Sequence, residues 1–184
     1  MAEAPGSGGL AARDVLYEQA ASEFGGALQR LAGAYEADPD RRQDLLQDIH
    51  IALWRSFATF DGRCSLRTWV YRVAHNVATS QVIRRRAHSP TLVSLDEVAS
   101  MPDGHDGERL VNRQRALERL LALIQTLKPA DRQVILLYLE GVDAVSIGEI
   151  TGMSSRNVAI KVHRIKQILA RRFHEGGSYG QSTS

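Results

Sequence analysis

The stretch from Asp143 to Leu169 is the part of the chain that most narrows its fold. Asp143 can cap a short helix whose inward residues are Ile147 and Ile150. Gly152 follows, where left-handed backbone is cheap only for glycine. Ser154 can then cap a second helix whose apolar stripe is Val158, Val162, Ile165 and Leu169. Helix, glycine turn and capped second helix are the grammar of a helix-turn-helix. The other face of the second helix offers Arg156, Asn157, Lys161, Arg164 and Lys166. Arginine can pair with guanine, asparagine with adenine and lysine with phosphate, so that face suits a DNA groove. The apolar stripe alone would fit any helical hairpin; the basic face makes DNA the stronger reading.

The remaining periodicity is helical too. Phe24, Ala27, Leu28, Leu31 and Tyr35 mark an amphipathic helix that Asp38-Pro39-Asp40 breaks. Asp40, three before Gln43, has the spacing to open a second helix carrying Leu46, Ile49, Leu53 and Phe57 inward. Asp61-Gly62 signals a turn, and Ser65 can cap a third helix with Leu66, Trp69, Val70, Val73, Ala74 and Val77 as its stripe. Helical period returns at Leu110, Leu117, Leu120, Leu121, Ile124 and Leu127. Pro129 then suits the first turn of a helix carrying Val134, Leu137 and Tyr138 and ending near Gly141. The expected fold class is all-α: two small helical domains joined by a flexible acidic linker, the C-terminal one a helix-turn-helix. The expected boundaries are a disordered N-terminus over 1–12, a helical bundle over 13–88, a linker over 89–109, the helix-turn-helix domain over 110–174 and a mobile tail over 175–184.

Charge divides the chain in the same places. The segment from Arg63 to His88 holds six arginines and no acid, and that from Arg156 to Arg172 holds six Lys or Arg and no acid. These two segments carry +12 in a chain whose net charge is +2, so the rest carries −10. Two basic surfaces set in an acidic remainder suit a polyanion; solvated helix faces are the plainer alternative. Asp96, Glu97, Asp103, Asp106 and Glu108 fall in or at the end of the linker, either as a solubilising spacer or as a charged segment that occupies positive surface.

Several function classes recede. A single cysteine, Cys64, allows no internal disulfide and no cysteine quartet for zinc. The six scattered histidines give no metal spacing, and no nucleophile or metal cluster accompanies any carboxylate pair. The expectation is a non-catalytic chain without cofactor or metal. No run approaches a membrane span and the start of the chain lacks a signal-peptide layout, so membrane insertion is not expected and a cytoplasmic location is.

Two longer stretches carry a specific resemblance. From Leu117 to Arg172, with the stretch GEITGMSSRNVAIKVHRIKQIL, the chain resembles region four of the extracytoplasmic-function (ECF) sigma factors of bacterial RNA polymerase. The stretch RRQDLLQDIHIALWRSFATFDGRCSLRTWVYRVAHNVATSQVIRRR resembles region two of the same family in helix order and spacing. A helix-turn-helix alone is shared with many regulators; the tandem of the two regions is not. The runner-up is a stand-alone helix-turn-helix regulator that does not bind core polymerase.

The resemblance implies roles residue by residue. Asp44, Leu45, Gln47, Asp48 and Trp54 hold the positions that dock on the polymerase clamp helices, where the residues alone would suggest only a solvated acidic edge. The loop over 60–65 and the helix after it match the −10 reading surface, with Arg63, Arg67, Tyr71, Arg72 and Asn76 on the matching ground. Arg84, Arg85 and Arg86 either grip phosphate there or form a solvated helix end, and Trp69 falls on the core stripe. In the second region Ser155, Arg156, Asn157, Ile160, Lys161, His163, Arg164 and Lys166 hold the −35 reading surface. Ala159 and Ile160 depart from the family's usual Lys or Arg and Ser, so a base hydrogen bond is impossible at either and Ile160 is left to touch a thymine methyl. The implied partners are core RNA polymerase, through clamp helices and flap, promoter DNA and an anti-sigma factor.

Overall fold

The computed structural model describes residues 7–88 and 108–175, with side chains placed for 10–85, 112 and 114–174. Of the expected acidic linker over 89–109, residues 89–107 therefore lie outside the described residues, as do the Arg86 side chain and the tail from 176 onward. Among the described residues all regular structure is helical. α1 (Ser7–Tyr35), α2 (Pro39–Ser56), a single 3-10 turn (Phe57–Thr59) and α3 (Leu66–His88) form the first half. α4 (Glu108–Gln125), α5 (Pro129–Leu139), α6 (Ala144–Thr151) and α7 (Ser155–Glu175) form the second.

α1 begins at Ser7, inside the segment expected to be disordered, and α4 begins two residues before the expected domain boundary. Ala11 and Ala12 cost a helix little, so the helix seeded by the packed residues after Ala20 runs back past them. A second correction concerns the start of α2. Its cap is Asp38, not Asp40: the Asp38 carboxylate accepts the Arg41 backbone N–H at 3.0 Å, and Pro39 takes the first helical position, where its missing N–H costs nothing.

In the first half, Phe24, Leu28 and Leu31 of α1, Leu45, Ile49 and Leu53 of α2, and Val70, Ala74 and Ala78 of α3 meet in one buried core. Full burial of a Leu or Ile contributes about 2 kcal/mol, so this set far outweighs any single surface pair. The α1–α2 corner is closed by polar groups. Arg42 donates to the carbonyls of Glu36 and Ala37, at 3.2 and 2.8 Å. The nearly buried Glu36 carboxylate accepts the Asp38 N–H at 3.1 Å and pairs with Arg85. Ser65 caps α3 as expected, its hydroxyl accepting the Thr68 N–H at 3.1 Å.

In the second half the core is built from Ile124, Val134, Ile135, Leu137, Ile147, Ile150, Val158, Val162, Ile165 and Leu169. Leu117 and Tyr138, both counted into apolar stripes from spacing, stay exposed at the edges of α4 and α5. Arg132 is buried: its guanidinium donates to the carbonyls of Gln125 and Leu127 at the end of α4, leaving those orphan groups satisfied.

The two halves pack on each other. Arg30 of α1 makes a bidentate pair with Glu140, and Gln125 donates to the Gly33 carbonyl at 2.8 Å. The Arg132 guanidinium stands 5.2 Å over the Tyr35 ring. α3 meets α5 and α6 directly.

Candidate nucleic-acid interface

The helix-turn-helix forms as its residues dictate. The Asp143 carboxylate accepts the Val145 and Ser146 backbone N–H groups, both at 3.0 Å, and the Ser146 hydroxyl at 2.7 Å. Those bonds, the Ser146 ones first, hold its carboxyl below the usual aspartate range. Gly152 closes α6 in left-handed backbone at φ 75°, and the N–H groups of Gly152 and Met153 both donate to the Gly148 carbonyl, at 2.8 and 3.2 Å. A Cβ on Gly148 would stand 2.5 Å from the Met153 carbonyl oxygen, so the turn folds tightly over a residue without a side chain. The Ser154 hydroxyl accepts the Asn157 N–H at 3.3 Å and opens α7.

With Val158, Val162, Ile165 and Leu169 buried, α7 turns Ser155, Arg156, Asn157, Ile160, His163 and Lys166 outward. Ile160 is 60% exposed on the same face. Lys161 and Arg164 are differently placed. The Asp131 carboxylate in the first turn of α5 pairs with both, Arg164 at 3.0 Å. The Lys166 ammonium lies 5.3 Å from the centre of the Tyr138 ring.

On the first half the expected −10 surface is divided. Arg63 is exposed and pairs with Asp61 at 2.9 Å, and Asn76 is exposed. Arg67 donates to the Glu140 carbonyl, and Tyr71 below it is 2% exposed, edge-on to Phe24. Burial raises the Tyr71 hydroxyl pKa. Tyr71 is thus a core residue, packed against Phe24 of α1 and His75 of α3, and not an outward-facing one as expected. Arg72 is half-buried beside a cavity of about 360 Å³ lined also by Asp61, Arg63, Cys64, Trp69 and Glu149. Arg84 is exposed, and Arg85, half-buried, pairs with Glu36. Trp69 packs against the core and donates its indole N–H to Ser56 at 2.9 Å.

The expected docking face on α2 needs one correction. Asp44, Gln47 and Asp48 are exposed, but Leu45 is 1% exposed, because its position falls on the stripe with Ile49 and Leu53. Ile51, 40% exposed and seven residues after Asp44, takes its place on the outward face. Its signal in the sequence is an apolar residue opposite the buried stripe. Trp54 is 37% exposed at the end of that face. Its indole N–H donates to Asp14 at 2.8 Å and Arg13 lies 3.4 Å over its ring, so α1 fixes it. Neither contact is visible from spacing, since the partners lie about forty residues apart.

The fold and its exposed groups define a two-part helical protein with a helix-turn-helix in the second part and an exposed acidic face on α2 in the first. Family models agree with that division. Sigma-70 region 2 matches residues 21–88 and Sigma-70, region 4 matches residues 117–169. The chain is 27% identical over 125 residues to RNA polymerase sigma factor YlaC of Bacillus subtilis, covering 67% of this chain and 72% of that one. It is 27% identical over 142 residues to ECF RNA polymerase sigma factor SigX of the same organism, covering 73% and 71%. The fold is shared with CnrH, solved in complex with the cytosolic domain of CnrY, at a TM-score of 0.64 and 18% identity over 91% of this chain and 94% of that one. The chain belongs to the sigma-70 family and is an ECF sigma factor. It is a polymerase-binding subunit for promoter recognition.

Proposed function

We propose that the exposed face of α2 docks on core polymerase through Asp44, Gln47, Asp48 and Ile51, with Trp54 at its edge. The loop over 60–65 and α3 then meet the −10 element through Arg63, Arg67, Arg72 and Asn76, while the basic end at Arg84 faces phosphate. α7 enters the major groove at the −35 element with Ser155, Arg156, Asn157, Ile160 and His163 foremost and Lys166 on the flank. The second half also contacts the polymerase flap. The observation that carries the DNA reading is the α6–α7 pair, whose outward residues are an amide, an arginine and an apolar side chain rather than a uniformly charged face.

Two elements about 25 base pairs apart on B-DNA are separated by roughly 80 Å, at 3.4 Å per step. Reaching both elements at once then requires the halves to part, which releases Arg67 from the Glu140 carbonyl. The subunit brings recognition rather than bond-making chemistry. CnrH was solved with the cytosolic domain of CnrY, which supports a protein partner of anti-sigma type for this chain as well. A stand-alone regulator would have no use for the region-two match over 21–88.

The test is purification with core polymerase followed by transcription from a randomised promoter library. Co-purification and enrichment at two separated blocks of sequence are the expected result. Tight sequence-specific duplex binding without polymerase, and no transcription with it, would reverse the reading in favour of the regulator.

A further inference from the structure

We propose that Asp131 sets how strongly α7 grips DNA of any sequence: it holds Lys161 and Arg164 back from phosphate and leaves Asn157 as the reader on that flank of α7. This rests on the assignment of α7 to DNA made above.

Asn157, Lys161 and Arg164 stand at i, i+4 and i+7, which places them in one row along the helix. Asp131 faces the lower part of that row from the first turn of α5. One carboxylate oxygen pairs with the Lys161 ammonium, and the other accepts a hydrogen bond from Arg164 at 3.0 Å. The Asp131 side chain is 14% exposed and that of Lys161 25%, so their pairing is shielded from solvent more than an ordinary surface ion pair, whereas Arg164, 58% exposed, joins from the solvent side. Asp131 is itself fixed, with its N–H on the Lys128 carbonyl at 3.0 Å and its charge at the positive end of a helix.

Cations near DNA give this pairing its effect. α7 carries six Lys or Arg from Arg156 to Arg172 and no acid among them. Every one that reaches phosphate adds affinity that is blind to sequence, raising right and wrong sites alike and with them the hold on non-promoter DNA. An acid on α7 itself would repel the groove. Placed on α5, it neutralises the middle of the helix from behind. Asn157, one turn nearer the helix start and exposed, keeps its amide at the position from which a recognition helix touches base edges.

The experiment uses the full chain assembled with core polymerase, carrying Asp131→Asn or Asp131→Ser, and promoter duplexes randomised at the −35 element. Affinity is measured across a potassium chloride series, and base preference by sequencing the bound fraction. Thermal melting of each variant shows that it is folded; the two replacements differ in shape, so an effect of lost charge must appear in both. The expected result is a slope of log affinity against log salt steeper by about 1 to 2, at about 0.9 for each further phosphate that a freed cation neutralises. Binding to preferred and scrambled −35 elements is expected to tighten together, several-fold at low salt, with their ratio little changed. Asp131→Glu, which keeps the charge, is expected to restore both. Adding Lys161→Gln and Arg164→Gln to Asp131→Asn is expected to remove the extra slope. An unchanged slope, a −35 ratio that shifts with the slope, or weaker binding to all sequences with a shallower slope overturns the proposal. A wild-type holoenzyme indifferent to the −35 sequence overturns the DNA assignment of α7 and this proposal with it, and does so before any substitution is made.

Discussion

The Arg30 guanidinium on α1 and the Glu140 carboxylate at the end of α5 share two parallel hydrogen bonds of 2.7 Å, joining the halves of the molecule side chain to side chain. The backbone carbonyl of the same Glu140 accepts Arg67 from the −10 helix. One residue of the C-terminal half thus takes a cation from each of two helices of the N-terminal half. Arg30 is 63% exposed, so its pair contributes at most about 1 kcal/mol to closure, against the much larger apolar burial within each half.

Arg30→Ala is therefore expected to raise the open fraction of the free chain by no more than about fivefold while leaving both cores intact. Distance distributions between one dye on α2 and one on α7, recorded at low salt, measure this. Identical distributions for wild type and variant would mean that the pair has no part in closure.

Stability is expected to fall as the solution is acidified from pH 6.5 to pH 5. His75 is 1% exposed on α3, with its Nδ1 3.1 Å from the Tyr35 hydroxyl, and burial pushes its pKa down to about 3. The folded state keeps the ring neutral while the unfolded chain protonates it near 6.5. The stability is thus complete above that value and is lost as pH falls towards 3, by about 2 kcal/mol at pH 5. Denaturant titrations of wild type and His75→Phe check it. If the variant loses stability between these pH values as steeply as wild type, another group is responsible.

Gly152→Ala is expected to destabilise the C-terminal half by about 1 kcal/mol and weaken promoter binding further. A Cβ there meets nothing within 4 Å, so the cost is the left-handed backbone at φ 75° and not a clash. Melting of the full chain and promoter binding by holoenzyme, measured together, separate the two effects.

Asp48→Arg is expected to abolish assembly with core polymerase and to leave melting almost unchanged. The residue is exposed on α2, where a substitution costs within about 0.5 kcal/mol, while a reversed charge at a docking face repels its partner. Assembly at wild-type strength by the folded variant would remove Asp48 from the docking face.

Asn157→Ala is expected to relax preference at one −35 position, with about 1–3 kcal/mol of discrimination lost there, and Arg156→Ala to reduce binding more broadly if it touches phosphate or at a guanine if it touches a base. Sequencing of bound library members distinguishes these outcomes. Unaltered preference at every −35 position in the Asn157 variant would show that another side chain does the reading.

What the sequence determined by itself was local. Asp143, Gly152 and Ser154 specify caps and a turn through bonds and backbone angles spanning a few residues, and the structure repeats them one for one. The stripe of α7 and the order of the two regions are equally local, because helical period and motif order need no partner to be visible. Only the tertiary structure decided which charged side chains are committed elsewhere. Arg85 is drawn to Glu36, Lys161 and Arg164 to Asp131, and Arg67 to the end of α5, all across separations of thirty residues or more. It also decided that Leu45 lies inside and Ile51 outside, since α2 is apolar on more than one side and the placement of α1 and α3 selects the buried stripe. The physical reason is the same throughout: capping and turn energies belong to a short segment, whereas the partner of a charge and the buried side of a helix depend on what packs beside it.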